Sequence, residues 1–197
     1  MARTKEFDPD VALEAALQLF WRRGFEATSL DDLTRAMGIG KGSFYATFGG
    51  KAPLYLRALD RYRARQAAAL VEALAAAGPV LPVVRRLLLA VVDEAVHGGA
   101  GPDARRGCFL VNATTERAGC DPEVARRAAE QSAAMEAALA VALARAQRAG
   151  EVRADHDPRA LARFVLTTVR GLRVSGATTP DRAALTDAAE VALAALS

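Results

Sequence analysis

Residues 28–51 read T-S-L-D-D-L-T-R-A-M-G-I-G-K-G-S-F-Y-A-T-F-G-G-K, and this stretch decides the fold. It spells a short helix, a glycine turn, a second short helix and a glycine stop. Thr28 and Ser29 can each cap the first helix, because a short hydroxyl accepts from backbone N–H groups left free in a first turn. Asp31 and Asp32 suit the positive end of that helix. Leu30, Leu33 and Ala36 or Met37 give it one apolar stripe. Gly38 and Gly40 break it, and Ile39 between them is apolar inside a turn, so it is expected to plug the junction of the two helices. The second helix, Lys41 to Phe48, carries Phe44 and Phe48 one turn apart for packing. Lys41, Gly42, Ser43, Tyr45 and Thr47 are left on its exposed faces.

This is the pattern of a helix-turn-helix DNA-binding unit. A lysine and several short hydroxyls at a helix N-terminus can meet phosphates and base edges, and Gly42 lets the backbone come close. An ordinary helical hairpin with a solvated basic face gives a similar pattern from this stretch alone.

The wider context narrows the choice. G-I-G-K-G-S-F-Y-A-T-F-G-G-K, preceded by G-F-E-A-T-S-L-D-D-L, resembles the DNA-binding domain of the TetR family of bacterial repressors. Gly24, Phe25, Thr28, Gly38, Gly42, Tyr45, Phe48 and Lys51 carry the resemblance, which is specific over residues 7–56 and weaker beyond. Two positions depart from it. Gly40 stands where the family often has a serine or threonine able to cap the recognition helix, and Ala46 stands where a histidine is frequent. The resemblance implies an all-α, nine-helix TetR-like fold. A DNA-binding domain would cover residues 1–50 and a larger ligand-binding and dimerisation domain 51–197, with helix 4 over 51–77 connecting them. It also implies that Thr28 and Lys51 hold backbone phosphates of a double-stranded operator.

The rest of the chain reads as helices separated by breakers. Met1 to Phe7 is a short basic arm whose Arg3 and Lys5 could reach phosphates or a minor groove. Asp8-Pro9 starts helix 1, which Gly24 ends. Gly78-Pro79 ends helix 4. Helix 5 spans Val83 to Val96 and is apolar nearly all round, so it is expected to be buried. Helix 6 is expected to begin near Asp103, helix 7 to span Glu123 to Ala149, helix 8 to open at Asp157-Pro158 and helix 9 at Pro180. Helices 8 and 9 carry small residues, Gly171 and Ser175 on one and Ala188, Ala192 and Ala195 on the other. Small residues allow close approach, and by resemblance these two helices pair with their twins in a homodimer.

Composition agrees with an all-helical chain, since alanine and leucine abound and alternating strand signals are almost absent. Residues 1–63 carry ten lysines and arginines against eight acids, which is no polycation; the basic groups are placed locally, at Arg3, Lys5, Lys41 and Lys51. Leu87 to Val92 is far too short to span a bilayer, and the N-terminus has no long apolar run, so the expectation is a cytoplasmic protein without membrane partners.

Enzymatic patterns fail. A G-x-G-x-x-G motif would need glycine at Ser43, and a P-loop would need glycine at Tyr45 and a hydroxyl at Ala52. No G-x-S-x-G, HExxH or CxxC is present, so neither catalysis, a metal nor a cofactor is expected. An interaction protein that has lost DNA binding is compatible with the slight net charge and opposed by the intact Lys41 to Lys51 motif.

A ligand-responsive regulator needs a second site coupled to the DNA site. A small-molecule effector is expected among helices 4 to 8, with Tyr62, Leu88, Val92, Phe109, Asn112, Met135 and Phe164 as candidate lining residues. Each also suits plain core packing. Asn112 interrupts the run Phe109-Leu-Val-Asn-Ala and needs a partner if buried. Cys108 is the alternative sensor. It follows Arg105-Arg106-Gly107 near a helix N-terminus, where positive charge favours thiolate, and the run R-G-C-F-L resembles the family subgroup with a helix 6 cysteine that responds to oxidants or electrophiles. Cys120, about twelve residues on, would lie about 18 Å away along a straight helix, too far for a disulfide within the chain.

Overall fold

The computed structural model of the chain describes residues 7–75, 78–97 and 107–197. Among them are nine α-helices and no strands: α1 (Pro9–Arg23), α2 (Leu30–Met37), α3 (Lys41–Phe48), α4 (Lys51–Ala75), α5 (Leu81–His97), α6 (Phe109–Arg117), α7 (Pro122–Arg148), α8 (Pro158–Thr178) and α9 (Arg182–Ala194). Their boundaries follow local chemistry. Asp8 accepts from Asp10 N–H at 2.8 Å and caps α1, with Pro9 at the position where no N–H is needed. Asp157 caps α8 in the same way. Asp181, rather than a turn begun by Pro180, caps α9 by accepting from Ala183 and Ala184.

The expected start of helix 6 near Asp103 lies outside the described residues. Gly107 sits at φ 58, in the left-handed region, and the α6 helix begins only at Phe109. Cys108 therefore lies just outside the first turn. Arg3, Lys5, Arg105 and Arg106 lie outside the described residues.

The chain packs into two compact units. The first runs to Arg65 and also takes in Phe109–Ala128; the second comprises Gln66–Cys108 and Ala129–Ser197. This division differs from a boundary at residue 50. The reason is aromatic packing: Phe20, Phe25 and Phe109 each meet the Tyr55 ring edge-on, at 5.0, 5.0 and 5.6 Å between centroids. The first turns of α4 and all of α6 therefore belong to the same core as α1.

The second unit is built on α5, which packs against α8 and α9, while α8 packs on α9. Leu88, Val91 and Val92 of α5 are buried with Leu139, Leu143, Val165, Leu172 and Leu185. Glu151 accepts from the N–H groups of Val80 and Leu81 at 2.8 and 2.5 Å, so a carboxylate distant in sequence serves the start of α5. Close approach of α5 and α8 depends on one glycine, because a Cβ on Gly176 would stand 2.3 Å from the Ala95 Cβ.

Gly176→Ala is accordingly expected to lower stability. Overpacking costs about 1–3 kcal/mol, against about 1 kcal/mol gained in helix propensity. Urea unfolding at fixed protein concentration checks this; an unchanged or raised midpoint would contradict the close packing.

Candidate nucleic-acid interface

The helix-turn-helix is assembled from a reciprocal cap, a left-handed glycine and two buried rings. Ser29 accepts from Asp32 N–H at 3.1 Å, and Asp32 Oδ2 accepts from Ser29 N–H at 3.1 Å and from its hydroxyl at 2.6 Å. This is a capping box at the start of α2. The Ser29 hydroxyl, then its backbone N–H, hold the Asp32 carboxyl below its ordinary value. A depressed carboxyl contributes fully above the unfolded value, near 3.9, and loses its contribution as pH falls through the folded one.

Thr28 has a different place from the one expected. It is fully buried, and its hydroxyl donates to Gly24 O at 2.6 Å. It neither caps α2 nor offers a hydroxyl to a phosphate; it closes the turn after α1. Gly38 ends α2 at φ 66, and Ile39 is buried at the junction as its apolar character requires.

In α3, Phe44 and Phe48 are buried, and Gly40 supplies no side-chain cap. Lys41, Gly42, Ser43 and Tyr45 are exposed and Thr47 is half-buried. Tyr45 exposes 54% of its surface, unusual for an aromatic ring beside a packed core. Lys41 Nζ pairs with Asp31 at 2.7 Å, which raises the lysine pKa. The Thr47 carbonyl accepts from Arg57, whose guanidinium lies 4.9 Å from the Phe48 centroid. Lys51 Nζ lies over the Phe25 ring at 4.3 Å. Tyr45, Lys41, Gly42 and Ser43 thus share one short helix whose opposite face is fixed in the core.

Two residues that bear on this face are absent from the sequence reading. Glu116 and Arg117, at the end of α6, both touch the turn between α1 and α2. No local signal marks them, because α6 follows that turn by about ninety residues.

The candidate effector residues divide between the units. Tyr62 and Phe109 belong to the first, where their rings meet edge-on at 5.7 Å, and Trp21 meets Tyr62 at 5.0 Å. Asn112, half-buried, is in the same unit. Leu88 and Val92 are buried in the core of the second, and Met135 packs against that core. Phe164 is 42% exposed on α8. A cavity of about 410 Å³ in the second unit is lined instead by α8 and α9, including Thr168, Gly171, Ser175, Asp181, Ala184 and Ala188. Cys108 is buried at 4% exposure, whereas Cys120 is exposed and its Sγ contacts Arg117 O at 3.4 Å. No group of His, Cys, Asp and Glu among the described residues could hold a metal ion, and no described helix is long and apolar enough to cross a membrane.

A short helix with one face locked in an aromatic core and the other left open, entered through a capped helix and a left-handed glycine, defines a helix-turn-helix DNA-binding protein. Residues 12–58 match the family model of bacterial regulatory proteins of the tetR family, and residues 84–192 match the tetracyclin repressor-like C-terminal domain. The chain belongs to the TetR family of transcriptional regulators, which are not enzymes. An uncharacterised HTH-type transcriptional regulator, YezE of Bacillus subtilis, is 35% identical over 197 residues and covers both chains fully. The HTH-type transcriptional repressor ComR of Escherichia coli is 32% identical over 173 residues, 88% of this chain and 81% of its own. Among solved structures, a cysteine-substituted CifR complexed with a 26 bp double-strand operator DNA is 30% identical. It superposes with a TM-score of 0.82 over 98% of this chain and 99% of that one.

Ser29→Ala is expected to cost about 1 kcal/mol, by loss of the cap. Asp32→Ala should remove the same box, so the double variant should lose less than the two single losses combined. Strictly additive losses in urea unfolding would show that the two residues act separately.

Proposed function

We propose that the chain is a dimeric repressor that holds a palindromic operator through α3 and is released by a small-molecule effector bound in its helical body. One observation carries the DNA-facing part. A Cβ at Gly42 would meet nothing within 4 Å, and the residue's φ is not in the left-handed region, so the fold itself has no use for glycine there. Glycine inside a helix costs about 1 kcal/mol relative to alanine. The bare backbone is explained by an outside surface that comes close. Lys41 and Ser43 beside it would meet phosphates, Tyr45 and Thr47 base edges or sugar, and Lys51 a phosphate at the start of α4. Asp31 holds the Lys41 ammonium in the free protein and would give it up to DNA.

Dimerisation follows from what an operator demands. Two recognition helices must sit about 34–36 Å apart to enter successive major grooves. The outer faces of α8 and α9 offer the surface for a second copy: Phe164, Val174 and Val191 are exposed there beside Gly171, Ser175 and Ala188. An effector that binds better to a body whose two heads are wrongly spaced would release the operator, and the operator would weaken effector binding by the same factor. Tyr62, Phe109 and Asn112 of the first unit are one set of residues to probe for it, and Leu88, Val92, Met135 and Phe164 of the second are another.

Cys108 offers a second route for the signal. It stands directly before the first turn of α6. Its burial, at 4% exposure, keeps reagents away, so the reversible effector is the preferred reading.

Gly42→Ala is expected to keep or raise thermal stability while weakening operator binding, and Tyr45→Ala to weaken it with the dimer intact. Operator titration with parallel thermal melts checks both. Full operator affinity in Gly42→Ala would remove α3 from the DNA surface. For the thiol route, operator binding is expected to survive mild alkylation; loss that Cys108→Ser prevents would make Cys108 the sensor.

A further inference from the structure

The turn that links α1 to α2 is held from outside by α6. Phe25 N–H donates to Glu116 Oε2 at 3.0 Å, and Glu26 N–H donates to Glu116 Oε1 at 2.9 Å. One carboxylate therefore takes two successive amides, one on each oxygen. Phe25 and Glu26 lie outside both helices, so neither helix ladder serves these donors. The room for the carboxylate is specific: a Cβ on Gly24 would stand 2.9 Å from both Glu116 oxygens. The neighbouring residue completes the grip. The Arg117 guanidinium lies over the Phe25 ring at 3.8 Å, pairs with Glu26 at 2.6 Å and with Asp121 at 3.0 Å, and leaves only 13% of its side chain exposed. The same Phe25 ring receives Lys51, the first residue of α4.

We propose that Glu116 and Arg117 are positioning residues for operator recognition. They clamp the Gly24–Glu26 turn and so set the direction in which the α2–α3 hairpin presents Lys41, Gly42, Ser43 and Tyr45. This role rests on the DNA-binding reading given above. Neither residue touches DNA; each acts on the segment through which α1 carries the hairpin. The bond is charge-assisted on the acceptor side, which makes it stronger than a neutral one and dependent on an ionised carboxylate. Glutamine keeps the shape of Glu116 but loses the charge and brings an NH2 group against a backbone donor. The turn then loses its paired acceptor, while the aromatic core around Tyr55 stays in place.

The test uses the full-length protein. Wild type first selects an operator from random duplex DNA, and Glu116→Gln is then measured on that operator and on an unrelated duplex. Operator affinity is expected to fall about tenfold, because binding must then order a turn that the wild-type carboxylate holds in advance. Affinity for the unrelated duplex should change less than about twofold, because the phosphate-facing charges are untouched. In the free protein, amide exchange at Phe25 and Glu26 should accelerate while the melting midpoint stays close to that of wild type. Operator affinity equal to wild type would overturn the proposal. So would a parallel fall in both affinities together with the melting midpoint, since that marks a general structural role. If wild type selects no operator, the DNA-binding reading and the positioning role both fall. Accelerated exchange in the variant would then reveal a brace without a recognition function.

Discussion

The Tyr55 ring is the constraint on which the DNA-facing half of the molecule depends. Phe20 of α1, Phe25 of the following turn and Phe109 of α6 all pack edge-on against it. Such pairs add about 0.5–1.5 kcal/mol each beyond burial. Tyr55 is 1% exposed, and burial pushes its phenol pKa up. The adjoining α1 and turn, and the distant α6, are thereby fixed to one ring. The recognition hairpin is attached to this block at both ends, through the Gly24–Glu26 turn and through Lys51.

Charges around this block are arranged locally. Arg61 pairs with Asp10, Arg65 with Glu14 at 2.6 Å, and Arg127 with Asp60 at 3.0 Å, each tying neighbouring helices of the first unit. Exposed pairs of this kind contribute about 0–1 kcal/mol each, so they orient more than they stabilise. On α3 the arrangement differs. Its single lysine pairs with Asp31 of α2 at 2.7 Å, and the other exposed positions are Gly42, Ser43, Tyr45 and Ala46. A surface built for stability would place good helix formers at Gly42 and Ser43.

The helix-turn-helix was legible in the sequence because its signals are local. Ser29 with Asp32 at the cap, Gly38 at the turn and Phe44 with Phe48 one turn apart each act within a few residues. The competition between Thr28 and Ser29 for the cap was not legible, since a local contact without a sequence signature decides it: the Gly24 carbonyl, in the turn just before, takes the Thr28 hydroxyl. The break before Phe109 was not legible, because Gly107 takes a left-handed φ within a run of helix-compatible residues. Phe164 fits an apolar helical stripe as well as any core residue, yet it faces outward, and periodicity alone does not tell a core face from a face awaiting a partner. The grip of Glu116 and Arg117 on Phe25 leaves no pattern at all, because both are ordinary charged residues at the end of a short helix.

Selection of binding sites from random duplex DNA tests the central claim most directly. A two-helix recognition surface on a symmetric dimer should enrich a palindromic site with half-sites about one helical turn apart, and Tyr45→Ala should fail to enrich it. Absence of any enriched site, or enrichment that is indifferent to Tyr45, would contradict the claim that the open face of α3 reads DNA.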